Sequence, residues 1–159
     1  ASILPTLTAR LVHLDPEHRS DFEKNLLTQQ EKFTVFIKRL KTTFGGLSEQ
    51  RRQVVVYHRS LSYLFETLGF KAVAYLEPKP GIPPTPSHVA KVLGLMKRRG
   101  IKTIIQEAHY PSKTGQTLAK LVGGKLIVIA GGTKEGQTYL AHLEEITTQL
   151  LIASEGGAL

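Results

Sequence analysis

His58 closes the most apolar short run of the chain, Val54-Val55-Val56-Tyr57-His58. A neutral imidazole at the end of a buried strand can ligate a first-row metal ion through a ring nitrogen. It can equally be a hydrogen-bonded histidine that ends a strand. Glu107 follows a second apolar run, Thr103-Ile104-Ile105-Gln106, and two roles are open to it as well. It can be an acceptor that orients a metal-bound imidazole or serves as an auxiliary ligand, or it can be an exposed turn carboxylate. His109 and Tyr110 lie on the same loop; His109 is either a further auxiliary ligand or a solvent-facing side chain. His13, His18, His88 and His142 fall on expected helices or helix starts, and no two histidines have the i, i+4 spacing of a helical metal site. They read as surface or capping residues.

Other chemistries have little support. The chain has no cysteine, which excludes disulfides, thiolate metal sites and cysteine nucleophiles. It contains no G-x-S-x-G, P-loop or G-x-G-x-x-G pattern. Gly131-Gly132-Thr133 after an apolar run is either an anion cradle or a tight turn. A small α/β enzyme using His58 and Glu107 as an acid–base pair is one rival reading. The net charge of +8 suggests another, a basic nucleic-acid module. But the basic residues are scattered, as in Lys38-Arg39-Lys41, Arg51-Arg52 and Lys97-Arg98-Arg99, partly at helix ends where cations suit the helix dipole. Tyr57, Tyr63, Tyr75 and Tyr110 form no aromatic-and-basic stripe, so no nucleic-acid partner is expected.

The elements that must position these residues alternate. Strands are expected over 54–57, 72–76, 102–106 and 125–129, and helices over 61–68, 89–99, 113–122 and 137–154, each span bounded by glycine or proline signals. Strand-helix repetition predicts an α/β fold, a four-stranded parallel sheet with helices on both faces. Ligands of such sheets bind beyond the carboxyl ends of the strands, where strand order reverses; with order 2-1-3-4, His58 and Glu107 end neighbouring strands there. Ahead of the sheet, Leu4, Leu7, Leu11 and Leu14 make a helical stripe. Asp15-Pro16 then restarts the chain as a long backbone helix over 16–44, about 40 Å at 1.5 Å per residue. Residues 77–87 hold five prolines and one glycine, a stiff loop.

These residues resemble a known family. The stretch from Val54 through His58-Arg59-Ser60-Leu61-Ser62-Tyr63-Leu64 to Gly69-Phe70 is similar to the first strand and helix of the carboxyl-terminal lobe in zinc- and manganese-type substrate-binding proteins of ABC transporters, a class of periplasmic solute-binding proteins. Leu76-Glu77-Pro78-Lys79-Pro80-Gly81-Ile82-Pro83-Pro84-Thr85-Pro86-Ser87-His88 resembles the proline-rich loop of a bacterial branch of that family. Ile104-Ile105-Gln106-Glu107 is similar to its later strand, and Leu14-Asp15-Pro16-Glu17-His18-Arg19 to the entry of the helix joining its two lobes.

The resemblance implies one lobe of a two-lobed protein. Residues 1–50 would be the end of the amino-terminal region with the inter-lobe helix, and residues 51–159 the carboxyl-terminal lobe. It implies capture of a divalent metal and delivery to an ABC permease in the membrane, with no enzymatic step, outside the cytoplasm, with a signal peptide upstream of this chain. His58 is the implied metal ligand; Pro80, Gly81, Ile82, Pro83 and Pro84 would line the cleft. The family's usual Asp after the fourth strand has no counterpart in Ala130-Gly131-Gly132-Thr133-Lys134. The implied cargo is zinc ahead of manganese, which prefers more oxygen ligands. The missing amino-terminal lobe would supply two further histidines. Alone, this chain is expected to bind zinc weakly or not at all, because one imidazole cannot complete a tetrahedral site. Its bare apolar surface predicts a homodimer through the first helix.

Overall fold

The β-branched run at 54–56 forms the central strand of the sheet. The computed structural model describes residues 3–154. Its strands are β1 (Gln53–Val56), β2 (Lys71–Tyr75), β3 (Thr103–Glu107) and β4 (Lys125–Ile129), each within one residue of expectation. All pair in parallel in the order β2-β1-β3-β4, with a register shift between Val54 and Val55. Val55 and Ile104 enter one core cluster with Leu76, Met96 and Leu118, while Val54, Val56 and Ile105, which point the other way, are just as buried. Both faces of β1 and β3 are therefore covered, which is why their sequences are continuous rather than alternating apolar runs.

The chain divides into two compact units, one running to Thr42 and the other starting at Thr43. In the first lie α1 (Ile3–Leu14) and most of α2 (Arg19–Gly45). Helix α1 buries no residue: Leu7, Leu11 and Leu14 of its apolar stripe stay exposed, as does Ile3. Asp15 does not cap with its side chain. Pro16–His18 forms a 3-10 turn, and Asp15 Oδ2 lies 2.8 Å from His18 Nδ1. That contact holds the Asp15 carboxyl below, and raises the His18 imidazole above, its ordinary value. Helix α2 then runs unbroken for 27 residues, roughly 40 Å at 1.5 Å per residue.

In the second unit a short helix not anticipated from sequence, α3 (Glu49–Arg52), leads into β1. Its Arg52 donates to the carbonyls of Phe44, Gly45, Leu47 and Leu68, so this cation closes the ends of α2 and α4 (Ser62–Leu68). The basic pair is thus partly structural. Helix α5 (Pro86–Arg99) begins three residues earlier than expected. Thr85 Oγ1 accepts from His88 N, and Pro86 sits at the first helical position, where its missing N–H costs nothing. Helix α6 (Lys113–Leu121) packs on β3 and β4, and α7 (Tyr139–Ser154) packs on β4.

Two histidines depart from the surface reading. His142 is 6% exposed, because it continues the buried stripe His142, Ile146, Leu150 of α7 at four-residue spacing. The hydroxyls of Thr147 and Ser154 on that face bond back to the carbonyls of Leu143 and Leu150, whereas His142 Nδ1 has no partner among the described residues. His88 is half-buried and reaches 2.9 Å to the Tyr75 carbonyl, tying the start of α5 to the end of β2. The glycine turn at 131–132 does not open a helix: α7 starts only at Tyr139, which removes the anion-cradle reading.

Candidate metal-binding site at the carboxyl strand ends

Parallel strands place their carboxyl ends along one edge, and four chain segments leave that edge together. The ladder continues past the assigned strands: Tyr57 N donates to Ile105 O, and Glu77 N donates to Tyr57 O. These bonds fix the backbone just before His58 and at Glu77 independently of any side-chain contact.

His58 Nε2 lies 3.4 Å from Glu77 Oε2, with side-chain exposures of 28% and 8%. The carboxylate facing His58 therefore comes from the end of β2. Among the described residues no hydrogen bond or ion pair joins Glu107 to His58, so the acid–base pairing of those two has no geometric support. The other oxygen of Glu77, Oε1, accepts from Gly81 N at 2.7 Å. Glu77 Oε2 and His58 Nδ1 are buried without hydrogen-bond partners.

Gly81 belongs to the proline loop. Ile82 N donates to Lys79 O, and Pro80-Gly81 occupy the centre of that turn with Gly81 at φ 78°. Proline followed by a glycine of positive φ is the residue order of a type II turn. The Glu77 carboxylate accepts the Gly81 amide and so holds the turn against the strand end. Pro80, Gly81, Ile82 and Pro83 are exposed, and Pro84 is half-buried.

Tyr110 joins the two halves of the edge. Its ring stacks on Tyr57 at 4.3 Å between centroids, lies 5.9 Å from His58, and meets His109 at 4.1 Å. The fully buried Gln106 donates its Nε2 to the Tyr110 carbonyl, and Tyr110 N closes a turn onto Glu107 O. Burial, then the charges of Glu107 and Glu77, raises the Tyr110 hydroxyl above its usual range; burial, then Glu77, does the same for Tyr57. The region is thus negative and partly desolvated. Glu107 is buried at 7% exposure, not a solvent-facing turn residue, while His109 is exposed. Gly131, after β4, passes His109 so closely that a Cβ there would stand 3.2 Å from its Nδ1.

The edge therefore gathers His58, Glu77, Glu107, His109 and Tyr110, and sequence reading singled out all but two for a site role. Glu77 appeared only as the first residue of the loop, and Tyr110 only as a loop neighbour. The signal that could have found Glu77 was its position: a carboxylate one residue past a strand that pairs with the His58 strand. Imidazole nitrogen and carboxylate oxygen are the donor types that bind zinc. Among the described residues no group of three or more such side chains is placed to hold a metal ion.

An open parallel sheet with an imidazole and a carboxylate at the carboxyl ends of adjacent strands is a ligand-binding α/β fold. Over residues 1–153 the chain matches the family described as "ZnuA: Zinc-uptake complex component A periplasmic", and it belongs to that family. It is 28% identical over 134 residues to the high-affinity zinc uptake system protein ZnuA of Bacillus subtilis, covering 82% of this chain and 41% of that protein. It is 20% identical over 114 residues to the manganese ABC transporter substrate-binding lipoprotein scaA of Streptococcus gordonii, covering 72% of this chain and 37% of that one. A ZnuA crystal structure superposes with a TM-score of 0.82 at 17% identity, over 94% of this chain and 54% of that one. The chain thus spans about half the length, or less, of the relatives it matches.

Proposed function

We propose that this chain is the carboxyl-terminal lobe and linking helix of an extracytoplasmic solute-binding protein that captures zinc and hands it to an ABC permease. Residues 1–50 contribute the inter-lobe helix and residues 51–159 the lobe. The observation that carries this reading is His58, held at the carboxyl end of the central strand with a ring nitrogen facing a buried carboxylate. Membership of the zinc-uptake family and the zinc and manganese relatives support a transition metal as cargo. Imidazole-based donors without thiolates favour zinc over manganese. Glu107 and His109 serve as supporting groups, and the 80–84 turn borders the cleft. The role is capture and release, with no bond made or broken in the cargo. No described helix is long and apolar enough to cross a membrane.

Titration calorimetry tests the ligand division. The 159-residue chain should bind zinc weakly, and the full gene product, with further ligands from an amino-terminal lobe, tightly. Nanomolar zinc binding by the monomeric 159-residue chain would overturn the incomplete-site reading. The exposed stripe of α1 also supports pairing with a second copy of this chain. Sedimentation at micromolar concentration should show a dimer; a monomer that stays soluble at millimolar concentration would refute it.

A further inference from the structure

The Glu77 carboxylate at the strand edge is only half satisfied by hydrogen bonds. One oxygen is committed to the Gly81 amide; the other, Oε2, is buried and lacks a hydrogen-bond partner. A buried carboxylate oxygen without a partner is costly, so such an arrangement calls for a proton, a donor or a cation. His58 is close enough to interact, yet the pair does not meet as a hydrogen bond: Nε2 stands off at 3.4 Å. That separation has a direct chemical counterpart. Two donor atoms each about 2.0–2.2 Å from one tetrahedral zinc ion lie about 3.4 Å apart, the edge of the coordination tetrahedron.

We infer that Glu77 is a metal ligand in its own right, sharing one zinc ion with His58, so that this chain supplies an imidazole and a carboxylate from the ends of two adjacent strands. The inference rests on the zinc-binding reading above and adds a ligand to it. Both backbones are fixed by sheet hydrogen bonds, and the Oε1–Gly81 bond fixes the carboxylate plane. The pair therefore pays little ordering entropy when an ion enters. The end of β4, Ala130-Gly131-Gly132-Thr133, offers no carboxylate of its own. Of the two buried acids, Glu77 faces the imidazole and Glu107 does not. The same carboxylate grips the proline turn, so metal binding and turn position become linked through one side chain.

Crystals of the protein soaked with millimolar zinc, with anomalous differences recorded at the zinc edge, read the ligand set directly. The expected peak lies within about 2.0–2.2 Å of both His58 Nε2 and a Glu77 oxygen. A peak bonded to His58 with both Glu77 oxygens beyond bonding distance overturns this inference and leaves the zinc reading standing. Zinc absent from His58 overturns both. In solution, Glu77→Gln keeps an acceptor for Gly81 but removes the anionic ligand. Calorimetry should show its zinc affinity reduced by at least the 10–100-fold typical of losing a supporting residue, with the Gly81 amide resonance and its exchange rate unchanged. If Glu77→Gln binds zinc as the parent does while His58→Ala does not, Glu77 is only a tether for the turn. If the Gly81 amide becomes unprotected in Glu77→Gln, the loss of affinity belongs to the loop and the inference fails.

Discussion

The two halves of the strand edge are built for different work. At the ends of β1 and β2, two side chains with metal-binding donors face each other across 3.4 Å, with buried donor atoms left unpaired. At the ends of β3 and β4 the contacts run mainly to backbone: Gln106 Nε2 holds the Tyr110 carbonyl, although Gln106 Oε1 is also buried without a hydrogen-bond partner, Tyr110 N closes onto Glu107 O, and glycine lets the chain pass His109. One half keeps chemistry available and the other fixes the surface beside it. Tyr110, stacked on Tyr57 and next to His58, is where the second half steadies the first. On the metal-capture reading proposed above, release of the cargo gains from this division, since the scaffold can be tight while the ligand set stays open.

The largest expected effect is at the chemical half. His58→Ala should remove measurable zinc binding by calorimetry, exceeding the 10–100-fold loss expected for a supporting residue, with folding by circular dichroism unchanged because the side chain is partly exposed. The next falls on the scaffold. Gln106→Ala frees the Tyr110 carbonyl and should lower stability in urea by about 1–3 kcal/mol, the cost of a lost buried hydrogen bond, with a smaller change in zinc affinity. An unchanged midpoint would show that the Gln106–Tyr110 bond does not steady the edge. The smallest is Glu107→Gln, expected to weaken zinc binding by about 10-fold or less, as a charge near the site rather than a ligand. An effect as large as that of His58→Ala would erase the distinction between the halves.

The legible part of this site was local. His58 could be picked out because a β-branched run ends on it, and Glu107 for the same reason. Their pairing could not be, since strand order alone makes the two ends neighbours without saying which way either side chain turns. The structure gives His58 a different carboxylate. Helix starts slipped where side-chain caps decide them, as at Thr85, and α3 was too short to leave a periodic signal.

The sequence by itself determined the alternation of strand and helix, one long unbroken helix (expected over 16–44, found as Arg19–Gly45 after a 3-10 turn), and the family. Each of these is written in residues close together in the chain: apolar periodicity, glycine stops, and the motif around His58. Only the tertiary structure decided that Glu77 meets His58, that Tyr110 bridges the edge, and that His142 is buried. Parallel pairing brings together residues from separate strands, and their contact depends on register and on the direction each side chain takes from the strand end. The four-residue spacing of His142, Ile146 and Leu150 puts them on one face of α7, but that this face is the covered one was decided by the tertiary fold.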